Sequence, residues 1–222
     1  MTGLLVYALV DSCAPFAARG LGGERVRLVP IGGLSAAVGE LPRPPRASVK
    51  SARAYDALLR KLGRRCPALL PARFGSFVAD EEALRRRLAP QAAALRRAMA
   101  EVRGRAQMTL RVYGPRARPR RRRETGEGPG ARHLHRVAQR LGGSPPPQIA
   151  ILRRALEGLV RAERIEPHPR APLLASVYHL IDRGRERSYL AAVRRAAPAL
   201  APVRVAPSGP WPPYAFGPAG LS

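Results

Sequence analysis

Few residues in this sequence have the types and spacing that chemistry requires. Asp80, Glu81 and Glu82 put three carboxylates side by side, an arrangement that could hold a cation or share a proton in acid–base work. They also stand where an apolar-periodic run begins. Negative charge there suits the dipole of a helix N-terminus, which is the better reading. His133 and His135 could be taken for a metal pair, but on the helix expected there their side chains point about 200° apart. His179 sits in the apolar run 173–181 and reads as a satisfied, buried or half-buried histidine, not a ligand. Gly20-Leu21-Gly22-Gly23 lacks the spacing and context of a phosphate-binding loop. Cys13 and Cys66 are the only cysteines; so far apart in sequence, they make no metal spacing and no disulfide framework. No nucleophile stands beside a base. The expectation is a protein with no catalytic residue, metal or cofactor, and hence not an enzyme.

Charge is the other chemical signal. Lys and Arg number 40 against 15 Asp and Glu, for a net charge of +25, which usually points to an anionic partner. Only Lys50 and Lys61 are lysines, and with 24 Pro and 21 Gly the mixture is what GC-rich coding produces whatever the function. The densest cluster is Arg116, Arg118 and Arg120 to Arg123. These could grip phosphates, but readers of single-stranded nucleic acid add aromatic platforms, and no aromatic residue lies between Tyr113 and Tyr178. A solvated linker is therefore preferred to specific nucleic-acid recognition, with a basic nucleic-acid-binding protein as the alternative.

The elements that would position these residues follow from periodicity. Hydrophobic residues make up 45% of the chain, too many for a disordered one, but aromatics only 5%, so aliphatic side chains must fill the core. The apolar run 4–10 reads as a buried strand and, lacking a basic flank and cleavage site, not as a signal peptide. Residues 26–38 read as a hairpin turning at Gly32-Gly33. Val49, Tyr55, Leu58, Leu59 and Leu62 make one face of a helix over 48–62, stopped by Gly63. Residues 68–77 are extended or irregular. Asp80 caps a long helix that Pro90 should kink or split before Gly104, and 108–113 alternate as a strand.

In the second half a helix is expected over 131–141. Ile149, Leu152, Leu156, Leu159 and Val160 suggest another. A strand over 173–181, a helix over 185–197 and a short strand over 199–206 follow. The fold class is α+β, in two domains. Residues 1–113 hold a mixed or antiparallel sheet with helices, 114–130 form an arginine- and glycine-rich linker, and 131–222 combine packed helices with a small sheet. No apolar run approaches the roughly 18 residues of a membrane span, so a soluble cytoplasmic protein is expected.

Two motifs resist a bland account. One is Leu69-Leu70-Pro71-Ala72-Arg73-Phe74-Gly75-Ser76-Phe77 with the acidic helix start after it. The other is Gly209-Pro210-Trp211-Pro212-Pro213-Tyr214-Ala215-Phe216, which holds the only Trp of the chain. A tail is normally polar and frayed, so these aromatics are expected to be buried, on the protein's own domains and at their junction. With three prolines from 210 to 213, the stretch 208–216 is not expected to be regular structure.

These motifs carry a resemblance. The stretch LLPARFGSFVADEE resembles the LP-x-RFG segment of the gas vesicle protein GvpL/GvpF family, and GPWPPYAF is similar to that family's GPWPPYSF terminus, with Ala215 where Ser is usual. Gln107 departs from the glutamate common before the strand, and the arginine density of 114–130 is a second departure. The resemblance implies an accessory protein of the gas vesicle, located there and in the cytoplasm. Its implied partners are the small hydrophobic shell protein GvpA and other accessory proteins. Leu70, Pro71, Arg73, Phe74, Gly75, Gly209, Pro210, Trp211, Pro212, Pro213, Tyr214 and Phe216 are the candidate interaction residues.

Overall fold

The computed structural model describes residues 2–115 and 147–218. The arginine cluster, His133, His135, the helix expected over 131–141 and most of the linker lie outside the described residues. The chain forms two compact units, one of residues 1–107 with the tail 211–222, the other of residues 108–210.

The first unit is built on a sheet of strands β1 (Gly3–Val10), β2 (Arg27–Ile31), β3 (Leu34–Leu41) and β4 (Leu69–Pro71), in the order β2-β3-β1-β4, with the short β5 (Phe77–Val78) also pairing β1. All eight residues of β1 are buried, as its unbroken apolar run requires of a central strand. Its pairing with β3 shifts register between Val6 and Ala8, so Tyr7 is the extra residue of a bulge. Leu5, Tyr7, Ala8 and Val10 consequently all join one core cluster with Tyr55, Leu58, Leu59 and Leu62 of helix α1 (Val49–Gly63). The β2–β3 hairpin turns through Gly32 (φ 53°) and Gly33 (φ 84°), which only glycine adopts freely at both positions.

Ser48 caps α1 with a reciprocal Ser48–Ser51 box. Gly63 does not stop the helix; it is the last helical residue, and Arg64 closes the turn in a right-handed conformation. Helix α2 (Glu81–Leu88) starts on Asp80, whose carboxylate accepts the Ala83 N–H at 2.7 Å. A 3-10 turn at Ala89–Gln91, containing Pro90, splits it from α3 (Ala92–Val102), as proline in a helix dictates.

Cys13 and Cys66 correct the sequence reading: they form a disulfide across 53 residues, with Cα atoms 4.3 Å apart. Pairing of Val10 with Leu69 aligns the chain leaving β1 with the chain entering β4, and bonds from the Asp11 and Ala14 N–H groups to the Ala68 and Arg65 carbonyls continue the alignment. Tertiary pairing, which sequence spacing does not display, brings the thiols together.

The second unit contains a four-stranded sheet, ordered β7-β8-β6-β9, of β6 (Arg105–Tyr113), β7 (Val160–Pro167), β8 (Leu173–Asp182) and β9 (Arg204–Trp211). Helices α4 (Gln148–Ala155) and α5 (Glu186–Ala196) share its core with Met108, Leu110, Val112, Ala175, Val177 and Ile181. Two expectations fail here. The helix expected to reach Val160 ends at Ala155, and Val160, the last residue of the expected stripe, begins β7. The terminal strand does not span 199–206: residues 197–200 are a 3-10 turn, and β9 runs through Pro207 and Pro210 into the tail. Proline is tolerated there because, among the described residues, β9 is the edge strand of its sheet. No described helix is long and apolar enough to cross a membrane.

Candidate functional site

Phe74 of the first motif and Trp211 and Tyr214 of the second meet side chains of α1. Leu70 and Pro71 are buried in β4, opposite Leu9 and Ala8 of β1. The chain then turns sharply. Ser76 N–H donates to the Arg73 carbonyl at 3.0 Å, and Gly75 has φ 81°, the left-handed value that the third position of such a turn requires. The turn aims Phe74 edge-on at Tyr55, with ring centroids 5.3 Å apart and planes at 72°. The Tyr55 hydroxyl lies 2.6 Å from the Ala72 carbonyl oxygen and 2.9 Å from that of Tyr7, so its single proton ties α1 to the backbone between β1 and the end of β4. Arg73 stays exposed.

The tail closes over the next residues of the helix. A 3-10 turn at Tyr214–Phe216 sends the Tyr214 hydroxyl to Asp56 Oδ1 at 2.8 Å. Asp56 Oδ2 accepts from Arg60 Nε at 2.7 Å, and the Arg60 guanidinium carbon lies 4.3 Å from the centre of the Trp211 ring. One carboxylate therefore neutralises the cation that faces the indole and also accepts from the phenol. Burial first, and the Asp56 carboxylate second, hold the Tyr214 hydroxyl protonated far above its ordinary range. Ala215 N–H donates to Gln107 Oε1 at 2.9 Å, Pro213 is buried and Phe216 is fully enclosed. Of the twelve candidate residues, Gly209 and Pro210 belong to the second unit and the others to the first.

Sequence reading missed the receiving side chains. Tyr55, Asp56 and Arg60 read as ordinary helix residues; only Gln107 carried a signal, as the departure from the glutamate usual at its position.

Other candidates resolve differently. In the Gly20–Gly23 loop the Leu21 N–H donates to the Tyr7 hydroxyl at 2.9 Å, and the Gly22 N–H to Glu24 Oε2 at 2.8 Å. These amides serve the protein's own side chains, not a phosphate. His179 is buried and satisfied: Nδ1 lies 2.7 Å from the Tyr189 hydroxyl and Nε2 3.0 Å from Glu163 Oε2. Glu163 faces His179 across the β7–β8 pair and also accepts from Arg153 Nε at 2.8 Å. The His179 bond, then the Arg153 bond, hold its carboxyl below the usual range against the opposing effect of burial. Among the described residues no group of three His, Cys, Asp or Glu side chains could hold a metal. The arrangement on α1 is an aromatic and ionic clasp, suited to holding chain segments together.

The chain's relatives agree with its motifs. The family described as gas vesicle synthesis protein GvpL/GvpF matches residues 3–218. Gas vesicle protein L of Streptomyces sp. (strain CB03234) is 30% identical over an alignment of 251 residues that covers 95% of this chain and 91% of that protein. The fold is shared with crystal structures of gas vesicle protein GvpF. That from Anabaena sp. PCC7120 has a TM-score of 0.73 at 17% identity and covers 98% of this chain and 99% of the other. That from Microcystis aeruginosa has a TM-score of 0.72 at 15% identity and covers 96% and 98%. With nearly its whole length matched, this chain belongs to the GvpL/GvpF family of gas vesicle synthesis proteins.

Proposed function

We propose that this chain takes part in gas vesicle assembly by binding the shell protein GvpA and other accessory proteins, acting in the cytoplasm and at the vesicle. The observation that carries the reading is the family match from residue 3 to residue 218, a span that includes both motifs. The family is one of gas vesicle accessory proteins, not of enzymes, and an assembly protein needs surfaces for partners more than a reaction centre. The candidate residues divide by role: the clasp residues of the tail keep the first unit closed, and the exposed Arg73 is free to meet a partner.

The test is a pull-down with purified GvpA, paired with flotation of intact vesicles. Capture of GvpA and co-flotation of the chain support the reading. If the chain ignores both, yet stays on DNA at about 0.3 M salt where nonspecific contacts weaken, its net charge of +25 serves a nucleic acid and the assembly reading fails.

A further inference from the structure

A cleft of about 300 Å³ opens in the first unit between the β2–β3 hairpin and the α2–α3 pair. Leu9, Leu88 and Leu95 form its floor, Ile31 and Leu34 one wall, and Ala89 and Ala92 the other. The floor leucines are buried, whereas Ile31 and Leu34 are half-buried and Ala89 is exposed, so apolar surface faces outward. Pro90 lies in the 3-10 turn between the two helices, with Ala89 exposed and Ala92 half-buried on either side of it. Small residues let another backbone approach closely, and interaxial distance follows the side chains at the contact.

The surrounding charge is mostly positive, with Glu81, Glu82 and Glu101 at the far ends of the two helices. From residue 83 to residue 100 this helix pair carries five arginines and no carboxylate. Arg85 lines the cleft at one end. Arg96 does not line the cleft; it is exposed and stands one helical turn after Ala92, which does. Arg85 shares Glu81 with Arg27, so one carboxylate serves two guanidiniums. Among the described residues Arg96 and Arg97 make no ion pair.

We propose that this cleft is a docking groove for an amphipathic helix of a partner protein, apolar on one face and bearing carboxylates on its flanks. The apolar face fills the leucine floor, and the flanking carboxylates meet Arg85 and Arg96. The assembly reading above supplies only the origin of that helix, a component of the vesicle.

The test uses the full chain and a fluorescein-labelled 18-residue peptide with a Leu/Ala face and Glu flanks, followed by anisotropy. A twin peptide with Lys flanks is the comparator. Ala89→Glu and Arg96→Glu alter exposed positions, and circular dichroism verifies their folding. The Glu peptide is expected to bind the parent at least tenfold more tightly than the Lys twin, and each variant to bind it at least tenfold more weakly than the parent. Added salt should weaken the interaction. Equal binding by parent and Ala89→Glu would show that the peptide settles elsewhere on the basic surface and would overturn the groove. A parent dimer that Ala89→Glu converts to monomer would overturn it in favour of a second copy of the chain. No vesicle or shell protein enters this assay, so its failure leaves the assembly reading standing, and a failed GvpA pull-down leaves the groove standing.

Discussion

Tyr214 donates its hydroxyl proton to Asp56, a residue 158 positions earlier in the chain, at 2.8 Å. Asp56 also accepts from Arg60, and Arg60 faces Trp211, so the contact belongs to a chain of four side chains. Such a set acts as a unit, and removing members singly should cost more than independent contacts would. For Tyr214→Phe, Asp56→Asn and the double variant, the coupling energy from urea unfolding is expected to be about 0.5–1.5 kcal/mol. Strict additivity would mean that the bond contributes nothing net, as many exposed pairs do.

The depth of the tail residues ranks their truncations. Phe216 is fully enclosed, so Phe216→Ala should cost about 3–5 kcal/mol. Trp211 is half-buried and keeps part of its surface wet, so Trp211→Ala should cost less, about 1–3 kcal/mol. Both should lower the melting temperature of the isolated protein. A Trp211→Ala variant that melts like the parent and fails to capture GvpA would make the tail a partner ligand and not a clasp.

Local pattern determined which elements were legible and which were not. The β2–β3 hairpin, the Ser48 and Asp80 starts and the break at Pro90 each rest on residues within one turn of one another, so the amino-acid order displayed them. Helix α4 was extended five residues too far because Leu156, Leu159 and Val160 fit a helical stripe, while the alternation of β7 needs β8 beside it to have meaning. Strand β9 was divided wrongly because proline argues against strands in general, and edge position, a property of the assembled sheet, removes the objection. At the site the contributed aromatics stood out by type. Asp56, Arg60 and Gln107 did not, since nothing local marks an aspartate that receives a tyrosine from far along the chain. The disulfide was hidden for the same reason.

That disulfide closes a loop of 53 residues. Loop-closure entropy puts its stabilisation at about 4 kcal/mol in the limit where constraint of the unfolded chain is the whole effect. Cys13→Ser with Cys66→Ser, or reduction of the parent, should lower the urea midpoint with the first unit still folded. A midpoint unchanged by dithiothreitol would show that the backbone bonds from Asp11 and Ala14 suffice.

In the second unit, Glu163 supplies a pH dependence whose sign is fixed. Its carboxyl is held below the usual range by His179 and then Arg153, so the folded state favours the charged form more than the unfolded state does. The stability this contributes is complete above the unfolded value, near about 4.3, and is lost as pH falls through the lower folded value. Glu163→Gln keeps the shape and removes the charge. At pH 7 it should cost about 0.5–2 kcal/mol, the range for a bond to a charged group lowered for the carboxylate's partial exposure. The gap between variant and parent should narrow steadily below about pH 5, since the parent's carboxylate is then being neutralised too. Urea unfolding of both proteins at pH 7, 5 and 3.5 measures it. A gap as wide at pH 3.5 as at pH 7 would assign the loss to altered packing around His179 and Tyr189, and would remove the carboxylate's charge from the account.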